Sequence, residues 1–146
     1  MASYTSNQMK ILVFLVFSGV LASCSAPTKI GEAEKTQLIQ RVTDRWRCLE
    51  INDYACAYEF LSPAYRAVFT EQMYQNRYFS DLNRRLTGVN VVAYDSGAAV
   101  ASVMVGVMSR PSVETTSASR AVVVVPANLT EAWLWDKGEW WYHESS

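Results

Sequence analysis

The sequence predicts an α+β domain, with helices first and then an antiparallel sheet packed against them by one face. Three observations carry this. From Glu32 to about Phe79 apolar residues recur at steps of three and four. After Asn83 the character changes to valine-rich runs separated by turn residues. The chain then closes on two aromatic runs joined at Asp136-Lys137-Gly138, the pattern of a tight hairpin.

The first helix starts near Glu32, where Glu32 and Glu34 complement the positive end of the helix dipole. Leu38, Val42, Trp46 and Leu49 form its apolar stripe, and Lys35, Arg41, Asp44 and Arg45 are expected on the other faces. Asn52 and Asp53 stop this helix and cap the next, on which Tyr54, Ala57, Tyr58 and Leu61 share a side. Ser62-Pro63 ends the second helix and opens a turn. Thr70 caps a third helix that is expected to reach Phe79 with Met73, Tyr74, Arg77 and Tyr78. Five strands follow: Leu86 to Tyr94, Ala98 to Met108, Ser117 to Val125, Leu129 to Trp135 and Glu139 to Glu144. Asp95-Ser96-Gly97 turns the chain, Ser109 to Thr116 is a polar loop, and Pro126-Ala127-Asn128 reads as a corner. Gly106, inside a strand, reads as a point of curvature.

The start of the chain has a different character. Lys10 precedes a ten-residue apolar run, Ile11 to Val20, and then Leu21-Ala22-Ser23-Cys24. A basic lead, a short apolar core and small residues at a cut site make a secretory signal. The run falls short of the roughly 20 residues that span a bilayer. The tetrad resembles a bacterial lipobox, which implies removal of residues 1–23, lipidation of Cys24 and anchoring in the membrane. Ser25 follows the cysteine where an aspartate would signal inner-membrane retention. By that resemblance the expected location is the periplasmic face of the outer membrane, with residues 24–31 as a tether and residues 32–146 as the domain.

Charge excludes one class of partner. Lys10 is the only charge in the leader, so the net charge goes from −1 to about −2 on its removal. Arg84-Arg85 is a pair rather than a patch, which leaves nucleic-acid binding without a basis. Cys48 and Cys56 flank the turn at Ile51-Asn52-Asp53 and either form a disulfide or are two buried thiols. No metal site is expected: these two cysteines and the single histidine, His143, lack ligand spacing, and no cofactor is implied.

The run from Arg45-Trp46-Arg47 through Asn52-Asp53-Tyr54 to Ala57-Tyr58-Glu59-Phe60-Leu61-Ser62-Pro63-Ala64-Tyr65-Arg66 resembles the helical front end of nuclear transport factor two-like domains. The segment Ala132-Trp133-Leu134-Trp135 through Gly138-Glu139-Trp140-Trp141-Tyr142 resembles the closing hairpin of many of them. The resemblance implies a cone, a curved sheet wrapped on its helices with a pocket at the wide end. Such cones host isomerases, dehydratases, binding modules and periplasmic scaffolds, so the fold alone leaves function open.

Candidate chemistry is sparse. Tyr54, Tyr58, Tyr65, Tyr74 and Tyr78 could donate to an oxyanion in a dry pocket, or are core tyrosines with one hydroxyl partner each. Asp53 is a general base if buried and an N-cap otherwise. His143 is a base if its face lines the pocket, and an edge-strand polar residue if not. Arg66 either holds an anion or pairs with Glu59 or Glu71. With a two-residue connection, Trp135 faces Trp140 and Trp133 faces Tyr142; a longer connection shifts that register and reverses the faces of the second strand, so that Trp141 and Leu134 line the other side. Aromatics on both faces of one hairpin point to a ligand pocket or a contact surface.

These residues imply a non-enzymatic envelope module that holds an apolar small molecule, forms a homodimer through its sheet or binds an envelope protein. Two alternatives stand beside it. One is a pocket enzyme of the isomerase or dehydratase type, with a tyrosine donor such as Tyr58 and Asp53 or His143 as base. The other is a scaffold subunit of a secretion apparatus.

Overall fold

The computed structural model describes residues 29–78, 82–111 and 124–144. The expected leader, its cut site and Cys24 lie outside the described residues, as do Phe79 and most of the expected strand Ser117 to Val125. The architecture is α+β. Helices α1 (Glu32–Glu50), α2 (Tyr54–Tyr58), α3 (Pro63–Val68) and α4 (Glu71–Gln75) precede β1 (Leu82–Asp95), β2 (Val100–Pro111), β3 (Val125–Asp136) and β4 (Glu139–His143). The strands form one antiparallel sheet in the order β1-β2-β3-β4.

The expected stripe of α1 is the side that packs on the sheet. Leu38, Val42, Trp46 and Leu49 are buried against Ala101, Val103, Val105 and Val107 of β2 and against Trp133 and Trp140. Alternation puts every second β2 side chain on that face, while Met104 and Met108 turn away and are exposed.

Caps divide the rest of the helical region more finely than the sequence suggested. Asp53 accepts from the Cys56 amide, Ser62 from the Tyr65 amide and Thr70 from the Met73 amide. Ser62-Pro63 therefore opens a helix of its own, giving four helices in the described residues rather than three. The last helix stops at Gln75, and Arg77 and Tyr78 sit in a turn whose amides bond to Tyr74 and Gln75. Cys48 and Cys56 are joined as a disulfide with Cα atoms 5.7 Å apart, tying the end of α1 to α2.

In the sheet, β1 begins at Leu82, four residues earlier than expected, and β2 runs on through Ser109, Arg110 and Pro111. Four strands are present among the described residues, and the expected strand Ser117 to Val125 lies mostly outside them. Register shifts fall between Leu86 and Gly88 and between Val91 and Ala93, so Thr87 and Val92 are extra residues on β1. Gly106 lies opposite the first of these. A Cβ there would meet the Thr87 hydroxyl at 2.7 Å, so glycine makes room for the bulge and its bend.

The expected corner at Pro126-Ala127-Asn128 is strand instead. The Trp135 amide bonds to the Ala99 carbonyl on the β2 side, so by alternation even-numbered β3 residues aim their backbone groups the other way. Among the described residues pairing with β4 begins at Ala132, so Pro126 turns its nitrogen away from β2 and removes no bond of that ladder. The final hairpin has the expected register, with Trp135 opposite Trp140 and Trp133 opposite Tyr142. Lys137 (φ 51°) and Gly138 (φ 86°) make its two-residue turn. The outer edge of β4 is covered by a bridge from Leu61 and by a bond from the Tyr142 amide to the Phe60 carbonyl.

Candidate functional site

The interior contains a charge pair where the sequence placed only apolar side chains. Arg45 and Glu131 are both buried, at 2 % and 5 % exposure. Nη1 of Arg45 donates to Oε1 of Glu131 at 2.8 Å, and Nε1 of Trp46 donates to the same oxygen at 2.9 Å. Nε1 of Trp133 donates to Oε2 at 3.0 Å. The Arg45 guanidinium lies 3.6 Å from the centre of the Tyr142 ring, and Nη2 reaches the Tyr78 hydroxyl at 3.5 Å. The Tyr74 and Tyr78 hydroxyls are 2.9 Å apart. One carboxylate thus collects two indoles and a guanidinium, joining α1 to β3.

Arg45 was expected on a solvent face and is in the core. Its neighbours explain how a charge is held there. Burial works against the guanidinium charge, but Glu131 and the oxygens of Tyr74, Tyr142 and Tyr78 more than offset it. The net effect pushes the Arg45 pKa up, and the group stays charged. Burial raises the Tyr78 and Tyr142 hydroxyls well above the ordinary tyrosine range against the opposing pull of Arg45, so both stay protonated. Both Glu131 oxygens are engaged, and neither Arg45 nor Glu131 lines the surface recess beside Trp135 and Trp140 or the groove beside Arg85 and Arg110. The arrangement holds elements together and offers no open base.

At the C-terminal margin of this cluster, burial raises the Glu144 carboxyl above the ordinary range despite nearby Arg45 and Arg77. Arg77 approaches it at 3.7 Å, and Oε2 of Glu144 is buried with no hydrogen-bond partner among the described residues. An acid with a raised folded pKa stabilises most at pH below its unfolded value, and that stability is lost as pH rises through the folded value. Glu144→Gln should therefore gain on the wild type between about pH 4 and about pH 8 in urea unfolding. A difference that is flat or shrinks over that range would contradict the assignment.

The residues singled out in the sequence are used separately. Asp53 is exposed and caps α2. The Tyr58 hydroxyl donates to the Phe69 carbonyl at 2.6 Å. His143 is exposed, opposite Ala132 on the face away from Trp133 and Tyr142. No hydrogen bond joins any two of these three among the described residues. Arg66 pairs with Glu59. Tyr54 stacks on Tyr78 at 4.7 Å, and Tyr65 lies against Phe69.

The hairpin aromatics divide by depth. Trp133 and Trp140 are fully buried, so neither is a contact surface, and the Trp140 indole donates to the Glu34 carbonyl at 2.9 Å. Trp135 packs on Trp140, and Tyr142 lies under Arg45. Trp141, on the opposite side, lies beside the guanidiniums of Arg41 and Arg66 at 5.1 and 5.6 Å. A recess of about 160 Å³ lies between Tyr94, Trp135, Trp140 and Ile30. It is smaller than the roughly 300 Å³ at which ligand pockets begin.

Sequence reasoning passed over Arg45 and Glu131, although a signal for both exists. Leu38, Val42, Arg45 and Leu49 are spaced four, three and four apart, which is the stripe's own period. Glu131 alternates in phase with Trp133 and Trp135. A lone basic residue on one inward face and a lone acid on another are a pair waiting to meet.

Among the described residues there is no cluster of His, Cys, Asp and Glu suited to a metal ion, and no helix is long and apolar enough to cross a membrane. No family model matches the chain, and no curated protein matches it. Among solved structures it is similar to a SEC-C motif-containing protein from Rhodopseudomonas palustris determined in solution. The identity is 14 % and the TM-score 0.46, over 71 % of this chain and 73 % of that one.

Proposed function

We propose that this chain is a non-enzymatic assembly module of the cell envelope. A nuclear transport factor two-like cone is lipid-anchored through Cys24 at the periplasmic face of the outer membrane, and it pairs its sheet with a protein partner. The observation that carries the reading is the first half of β3. Val125 to Thr130 is strand, yet every one of these residues is exposed. Among the described residues its pairing with β4 starts at Ala132, so the backbone groups of Asn128 and Thr130 face an edge that no described strand covers. Leu129 and, on β2, Met104 add exposed apolar side chains to the same stretch. An open edge beside apolar side chains is a template for strand addition. Pro126 limits such pairing to the residues after it.

Thr130→Pro removes one edge N–H while leaving the β2 pairing intact, and Leu129→Glu places a charge at the same stretch. Full-length wild-type protein extracted in mild detergent should migrate as a complex larger than the monomer. Both variants should release the monomer with melting temperatures within a few degrees of wild type. A wild type that is monomeric from the outset, or variants that keep the complex, would reject the proposal.

A further inference from the structure

Three arginines meet in a second concavity, of about 550 Å³, lined by Glu50, Ile51, Asn83, Arg84, Arg85, Met108, Ser109, Arg110 and Val124. The sequence offered only Arg84-Arg85, and the β1–β2 pairing brings Arg110 to them. Arg85 lies opposite Met108 and Arg110 opposite Asn83, so the two arginines are diagonal neighbours on one sheet face. Both are exposed, and neither has an ion pair among the described residues. Like charges at that spacing repel, and a bound anion would relieve the repulsion. Arg84 points toward the α2 side, with its guanidinium 5.8 Å from the Tyr78 ring centre and 3.5 Å from the Tyr54 hydroxyl. The one acid among the described lining residues, Glu50, accepts from the Leu86 amide through Oε1, which turns that carboxylate oxygen to the backbone.

The apolar part of the lining is just as exposed. Ile51, Met108 and Val124 are 74, 43 and 42 % accessible, three large apolar side chains in the same groove as the guanidiniums. We infer that this groove binds a phosphate-bearing amphiphile, with the guanidiniums on the phosphate oxygens and Met108, Ile51 and Val124 against the adjoining hydrocarbon. Arginine suits that role because its planar fork matches phosphate oxygens two at a time. The inference does not depend on the lipid anchor or on the β3 edge.

The test is isothermal titration of the full chain in neutral detergent at low salt. The probes are dihexanoyl phosphatidylglycerol, dihexanoyl phosphatidylcholine and inorganic phosphate. The phosphatidylglycerol should bind most tightly, and Arg85→Gln and Arg110→Gln should each weaken it roughly tenfold. Met108→Ser should weaken the lipid as well. Arg47→Gln, an exposed arginine outside the groove, should leave binding unchanged. Equal affinity for inorganic phosphate would overturn the amphiphile assignment. No binding of any probe, or an equal loss in Arg47→Gln, would overturn the site.

Discussion

Glu131→Ala should lose about 3–5 kcal/mol of folding stability, a large share of what a domain of this size has. The loss comes from what the substitution leaves behind. Arg45 remains as an unpaired guanidinium at 2 % exposure, and the Trp46 and Trp133 indoles lose their acceptor. A buried ion pair is not by itself more stabilising than apolar residues of the same volume, but half of one is much worse. Arg45→Met should therefore suppress part of the Glu131→Ala loss, so that the double variant is more stable than the two single losses predict. Full suppression is not expected, because the two indole donors stay unpaired in either background. Urea unfolding of the four proteins measures the coupling directly. Additive losses would mean that the pair is not formed.

Trp140→Ala should cost about 3–5 kcal/mol for a different reason, the removal of a fully buried indole. Trp140 packs against Trp135 at 5.0 Å and Tyr94 at 6.1 Å, and its indole N–H ties the hairpin to the first turn of α1. It shares no hydrogen-bond partner with Glu131, so the two losses should add in a combined variant. Trp140→Phe keeps most of the buried area and should recover the larger part of the loss. The substitution should leave any complex formed through the β3 edge intact at temperatures where the variant is folded. If association were lost in a stable, folded Trp140→Phe, the hairpin would belong to the contact surface rather than the core.

Stripe, cap and tight-turn signals in the sequence match the structure, while element ends do not, as the last helix stops at Gln75 and β1 begins at Leu82. The stripe of Leu38, Val42, Trp46 and Leu49 is the buried side of α1, and the caps at Asp53, Ser62 and Thr70 lie where their side chains accept amides. The hairpin register follows from Lys137-Gly138, because a two-residue turn fixes every pair behind it. What was hidden depends on partners far along the chain. Arg45 was read as a solvent residue on its charge, since its acid lies 86 positions away. Pro126 was read as a corner because proline breaks central strands, and its tolerance depends on which side of β3 stays open. Arg110 joins Arg84 and Arg85 only through a register displaced by the bulges at Thr87 and Val92.

The Arg45–Glu131–indole network closes the interior, and the proposed function and the proposed ligand groove accordingly lie at the sheet edge and beside Arg85 and Arg110. The most direct measurement is hydrogen exchange of the Trp46 and Trp133 indole N–H groups, followed by NMR on the folded protein. If the claim holds, both exchange only through global unfolding, at the rate of the most protected β2 amides, and added ligands leave their shifts unchanged. Exchange orders of magnitude faster than those amides, or indole shifts that move on ligand addition, would mean an interior open to solvent and would return function to a central pocket.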